Sequence, residues 1–120
     1  MSTDVEKPWG WYEDIYREDR VVFKTLCIKP GKAISLQRHA DRGEFWFVAE
    51  GEGSMTYQPV TNPSSMSHFD VKAGTPVHIE KGRMHRIRNT GDVDLLIYEM
   101  QYGLCRESDI VRVMDDFGRA

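Results

Sequence analysis

Turn-forming residues recur so often along this chain that no long helix fits between them. Gly, Pro, Asn and Asp cluster at residues 29–32, 50–53, 72–74, 80–82 and 89–92. Glycine supplies positive φ and proline pre-sets φ, so such clusters punctuate a chain rather than continue it. The intervening runs are short and rich in Val, Ile, Phe, Trp and Tyr. They predict strands at 11–17, 21–28, 33–39, 44–50, 53–57, 68–71, 77–79, 85–89, 95–101 and 110–114. Many short strands at this spacing imply an all-β sandwich or barrel. One short helical turn is expected at Glu107–Asp109, before the last strand. The runs 44–50 and 95–101 carry few charges, which predicts strands buried on both faces. Residues 58–67, rich in Pro and Ser, read as a loop.

At 120 residues the chain is long enough for one core and not two. A net charge of −3 offers no basic face for nucleic acid. The apolar runs at 45–49 and 95–98 are far too short to span a membrane. The first residues lack the apolar stretch of a signal peptide, so a cytoplasmic location is expected. With no secretory context, Cys27 and Cys105 are expected as reduced thiols, Cys27 packing as a small hydrophobe.

Against this background, one set of polar residues stands out. Gln37 and His39 are two apart, so on a strand they point the same way. A turn then lets Glu44 swing back from the next strand. His85 comes much later, ahead of Asn89. Together these supply two nitrogen and two oxygen donors, enough to meet at one divalent ion. Imidazole, carboxylate and amide suit zinc foremost, and also Mn²⁺, Co²⁺, Ni²⁺ or Fe²⁺. Thiolate is absent, which argues against a structural zinc site. Four protein ligands would leave positions open on an octahedral ion, as catalytic sites do.

The spacing of these residues resembles the paired motifs of the cupin family. Gly31, Gln37, His39, Glu44 and Gly51 fall on the first motif, with Gln37 in place of its first His. Gly74, Gly82, His85 and Asn89 fall on the second, with Glu80 in place of its Pro. The resemblance implies a single-domain double-stranded β-helix, or jelly-roll barrel. A short N-terminal arm would span 1–20, the barrel core 21–102 and a C-terminal segment 103–120. It also implies a homodimer, with Trp9-Gly10-Trp11 as a candidate exchanged arm.

A narrower resemblance extends over nearly the whole chain. The segments Leu36–His39, Arg42–Trp46, His85-Arg86 and Ile110–Arg119, with Lys7-Pro-Trp-Gly10, look like the C-terminal domain of type II mannose-6-phosphate isomerases. The family's opening Arg is Lys7 here, and its His-rich stretch is Ala40-Asp41. The resemblance implies Gln37, His39, Glu44 and His85 as metal ligands. It implies Arg42, Arg86, Arg112 and Arg119 as contacts to a phosphosugar. No glycine-rich phosphate loop follows a strand, so nucleotidyl transfer is not expected.

Interconverting an aldose and a ketose phosphate requires a group that moves a proton between adjacent carbons. Alternation puts Ile97, Glu99 and Gln101 on one face, and Glu99 is the candidate base. If it faces the barrel interior, burial would raise its pKa. Facing solvent, or an arginine, it would be an ordinary carboxylate. Lys24, in phase with Leu26 and Ile28, is a candidate second acid or phosphate contact. Edge-strand solvation is its plainer role. Three readings follow: a metal-dependent sugar-phosphate isomerase, a non-catalytic metal-containing cupin that binds a small sugar-like ligand, and a metal-dependent oxygenase.

Overall fold

The protein is described from a computed structural model covering residues 4–59 and 66–119. Among them the chain runs β1 (Asp4–Lys7), β2 (Gly10–Arg17), β3 (Val21–Ile28), β4 (Leu36–Arg38), β5 (Arg42–Glu50), β6 (Glu52–Tyr57), β7 (Ser67–Lys72), β8 (Pro76–Ile79), β9 (His85–Asn89), β10 (Leu95–Gly103) and β11 (Val111–Met114). There is no helix among the described residues. Residues 107–108 form a turn rather than a helical start, because Asp109 is drawn to the 40–41 backbone instead.

The strands form two antiparallel sheets, the all-β architecture the turn spacing implies. One has the order β1-β2-β3-β10-β5-β8 and the other β11-β4-β9-β6-β7. Their facing surfaces enclose a core that includes Leu26, Ile28, Trp46, Val48, Met55, Ile87, Leu95 and Ile97. The β5–β6 turn needs Gly51, which holds φ at +86° and where a Cβ would lie only 2.7 Å from the Asp94 carbonyl oxygen. Any other residue there would be strained and would also collide.

Register explains where polar groups enter this interior. On the first sheet Lys24, Glu99 and Trp46 sit opposite one another across β3, β10 and β5. The next inward row is Val22, Gln101 and Glu44. Inward rows toward the other end hold Leu26 with Ile97, and Ile28 with Leu95. One end of the barrel is therefore polar and the other apolar. On the second sheet Arg112, Gln37, His85 and Tyr57 form a cross-strand row.

Two expectations need correction. Strands β5 and β10 are buried on one face only, since Phe45, Phe47 and Tyr98 are 44–49% exposed. Their outward residues are aromatic, which in sequence imitates burial on both sides. The strand expected over 33–39 shortens to Leu36–Arg38, with Ala33 reduced to a single bridge to Arg88. Residues 4–17 form a hairpin paired with β3 of the same chain. Of the expected loop at 58–67, residues 60–65 lie outside the described residues. Both cysteines are free and buried.

Candidate metal centre

Strand alternation brings His39, Glu44 and His85 together at the polar end of the barrel. All three are buried, and one donor atom from each lies within 4.8 Å of the others. Glu44 lies between the two rings. Its Oε2 is 3.4 Å from His39 Nε2 and its Oε1 is 4.0 Å from His85 Nε2. Two ligands of one divalent ion, each bound at about 2.0–2.2 Å, can be at most about 4.4 Å apart. Both pairs fall inside that limit.

Both imidazoles are held with Nε2 as the lone-pair atom. His39 Nδ1 lies 2.6 Å from the Asp109 carbonyl oxygen, and His85 Nδ1 lies 3.0 Å from that of Arg83. A carbonyl can only accept, so each Nδ1 carries the proton and each Nε2 is bare. This backbone orientation of the far nitrogen is what a ligating histidine needs. His85 Nε2 is buried and has no hydrogen-bond partner. A buried polar atom left so is uncommon, and a cation beside Glu44 would satisfy it. The donor set fits a divalent metal on these grounds.

Electrostatics keep the set ready for a cation. Burial alone would raise the Glu44 carboxyl. The neighbouring His39, His85 and Arg42, with the Trp46 indole N–H, outweigh it and hold the group at about 2. Trp46 Nε1 donates to Glu44 Oε1 at 2.8 Å. Burial is also the main force on the two rings. It pushes His85 down to about 4 and lowers His39, so both are neutral near pH 7.

Gln37 sits beside this set, directly across from His85 in register. Its Nε2 is 3.4 Å from His39 Nε2, while its Oε1 accepts from Ser35 Oγ at 2.6 Å. The Ser35 hydroxyl can equally accept from the amide NH₂, so rotating the amide would turn its oxygen toward the donor set, keeping the Ser35 bond and giving up the contact to His39 Nε2.

Next to the donors is a cavity of about 200 Å³. Its lining carries Lys7, Lys24, Arg42, Arg112 and Arg119 against the acids Glu99 and Glu107. Glu99 is 6% exposed, and Gln101 Nε2 donates to its Oε2 at 2.6 Å. Burial first, then the Glu44 carboxylate, push the Glu99 carboxyl up to about 8, against the pull of Lys24 and Arg42. Lys24 is buried and donates to Glu107 at 2.9 Å. Arg119 reaches the cavity while paired with Asp115 through two hydrogen bonds of 3.0 Å. Arg86 lies outside the lining. It neighbours His85, so alternation turns it to the opposite face, where it bonds the Ile34 carbonyl and Asp116.

Sequence reasoning missed several supports. Asp109 orients His39 through its carbonyl, and its carboxylate accepts the Ala40 and Asp41 N–H groups at 2.8 and 2.9 Å. No local pattern marks a residue so distant along the chain. Glu107, which holds Lys24 and Arg17, is equally silent. Trp46 could have been found, being in phase with Glu44.

Comparison with known proteins identifies the fold and the family. The capsular polysaccharide assembling protein CapF of Staphylococcus aureus shares the fold, with a TM-score of 0.81 over 95% of this chain and 34% of its own, at 20% identity. That fold is the cupin fold. Among sequences, the alginate biosynthesis protein AlgA of Pseudomonas syringae is 33% identical over 98% of this chain and 23% of its own length. A mannose-1-phosphate guanylyltransferase of Escherichia coli is 32% identical over 99% of this chain and 24% of its own length. The chain thus spans about a quarter of these curated relatives. Residues 1–116 match the family described as mannose-6-phosphate isomerase C-terminal, and the chain belongs to that family.

Proposed function

We propose that this protein is a metal-dependent sugar-phosphate isomerase acting on a mannose 6-phosphate-like aldose. The observation that carries this reading is the adjacency of three features. A His39–Glu44–His85 donor set, a buried carboxyl at Glu99 and a cavity lined with an excess of cations share one end of the barrel. Family membership supports the same chemistry.

A divalent ion held by His39, Glu44 and His85, with Gln37 as a fourth donor, would supply a positive charge to polarise a sugar carbonyl and hold its oxygen. Zinc suits the donors best, with Mn²⁺, Co²⁺, Ni²⁺ and Fe²⁺ also compatible. The protein's own groups do the rest. Arg112 and Arg119 hold the phosphate, with Lys7 and Arg42 adding positive potential. Glu99 moves the proton between the two sugar carbons. Its Oε2 is engaged by Gln101, which leaves Oε1 to carry that proton. A carboxyl near pKa 8 is well matched to proton transfer at neutral pH, because it can both take and return the proton. Lys24, held against Glu107, is placed to assist at the sugar oxygens.

A second reading rests on one observation. Two histidines and one carboxylate are also the donor set of non-haem iron oxygenases. The cationic lining favours a phosphorylated substrate instead. The test is NMR of mannose 6-phosphate incubated with protein loaded with Zn²⁺, Mn²⁺ or Co²⁺. Appearance of fructose 6-phosphate, with exchange of the transferred proton, is the expected result. Saturable binding without interconversion, across a panel of aldose phosphates, would leave a sugar-phosphate binding cupin.

A further inference from the structure

Arg42 contacts the atoms on which the metal centre depends. Its Nε donates to Glu44 Oε2 at 2.9 Å, and its Nη2 lies 3.3 Å from His39 Nε2. Arg42 is itself buried, at 6% exposure. An imidazole Nε2 has a single lone pair in its ring plane. Because Nδ1 of His39 is protonated by its bond to Asp109, that lone pair is the ring's one acceptor site. A hydrogen bond from Arg42 and a bond to a metal therefore cannot coexist at His39 Nε2.

Charge leads to the same exclusion. Glu44 contributes one negative charge to the donor set, and His39 and His85 are neutral. A guanidinium and a divalent ion would place three positive charges around that single carboxylate in a buried site. Burying charge in such excess is strongly unfavourable unless an anion arrives with it. Arg42 also lines the cavity, where Glu99 and Glu107 act on it and Arg112 and Arg119 converge.

We propose that Arg42 competes with the metal for Glu44 and His39, and that metal loading turns its N–H donors toward the cavity, where they bind the ligand's anionic group. Metal and anion then bind with positive cooperativity, each raising the other's affinity by the same factor. The inference rests on the metal-centre reading. It adds that the arginine within the first motif couples the two halves of the site.

The test uses the chelator-stripped 120-residue chain, with Co²⁺ affinity measured by competition against a chelating dye. Sulfate serves as the anion probe, being a tetrahedral dianion with weak affinity for free Co²⁺. Arg42→Met is expected to bind Co²⁺ at least tenfold more tightly than the parent chain. Sulfate is expected to tighten Co²⁺ binding several-fold in the parent and not in Arg42→Met. Arg42→Lys keeps the charge but not the two-pronged reach. It should fall between them, and it answers the question if Arg42→Met does not fold. Equal or weaker Co²⁺ binding by the variants overturns the competition while leaving the metal centre intact. An absence of sulfate coupling in the parent overturns the cooperativity. Failure of every protein to bind Co²⁺ removes the metal centre and this inference with it.

Discussion

The Asp109 carbonyl oxygen lies 2.6 Å from His39 Nδ1, so a residue just before β11 fixes the orientation of a ring just after β4. The same residue's carboxylate caps the Ala40 and Asp41 amides, which locks the turn carrying His39. Desolvation would raise the Asp109 carboxyl, but the hydrogen bonds from those two backbone N–H groups, aided by His39 and Arg42, hold it below its usual range. Asp109→Ala keeps the carbonyl but frees the turn. Partners that orient a ligating histidine are typically worth 10–100-fold in metal affinity. The expected outcome is Co²⁺ binding weakened by about tenfold, with little change in the far-ultraviolet circular dichroism. Asp109→Asn, which retains one acceptor oxygen, should recover part of the loss. Unchanged affinity in Asp109→Ala would show that the turn holds without its cap.

Glu99 makes the pH dependence of folding unusual. Its folded pKa is about 8, raised by burial from an ordinary value of 4.5. The folded chain therefore holds a proton that the unfolded chain releases between those values. For an acid raised on folding, the associated stability is complete below the unfolded pKa and is lost as pH rises through the folded one. Metal-stripped protein should thus lose stability between about pH 4.5 and about pH 8 through this group. His85 contributes the opposite slope at lower pH. Its folded value near 4 lies under its ordinary 6.5, so its contribution is present above 6.5 and lost as pH falls through 4. Urea titrations across that range should show a falling alkaline limb in the parent chain. Glu99→Gln should flatten that limb and leave the acid limb in place. An identical alkaline slope in both would mean that Glu99 does not carry this proton.

How much of this was legible in the sequence depended on the range of the interaction. Two-residue spacing placed Gln37 with His39 and Glu99 with Gln101, because strand alternation is a local rule. The convergence of His39, Glu44 and His85 followed from motif spacing. The Arg42–Glu44 pair is also a two-residue spacing, yet it reads in sequence as a ligand beside a substrate contact. Only the distances reveal that the arginine donates to the carboxylate itself. Asp109 and Glu107 were not legible, because their partners lie far away along the chain and nothing local requires an acid there. The outward face of β5 and β10 was misread for a different reason. Phe45 stacks on His78 at 4.2 Å, and Phe47 and Tyr98 stay exposed, so apolar residues occupy positions that a period-two pattern assigns to polar ones.

Arg112 and Arg119 line the same cavity, so their variants test the phosphate contact at two separate points. Arg119 is pinned by Asp115, whose side chain is only 2% exposed and whose carboxyl is held at about 2 chiefly by hydrogen bonding from Arg119. Removing the guanidinium alone leaves that carboxylate without its main partner, so Arg119→Ala should lower both the thermal midpoint and phosphosugar affinity. Pairing it with Asp115→Asn removes the orphaned charge and should restore the midpoint while the affinity stays low. Arg112 belongs to the row that contains Gln37 and His85, so Arg112→Ala should weaken the phosphosugar and leave the other donors in place. Loss of one charge-assisted phosphate contact costs about 1.5–3 kcal/mol, or roughly 10–100-fold in affinity. For both positions the sugar without its phosphate should bind equally well to parent and variant. Isothermal titration with mannose 6-phosphate and with mannose distinguishes the cases. Equal losses for both sugars would place these arginines in support of the barrel rather than on the phosphate.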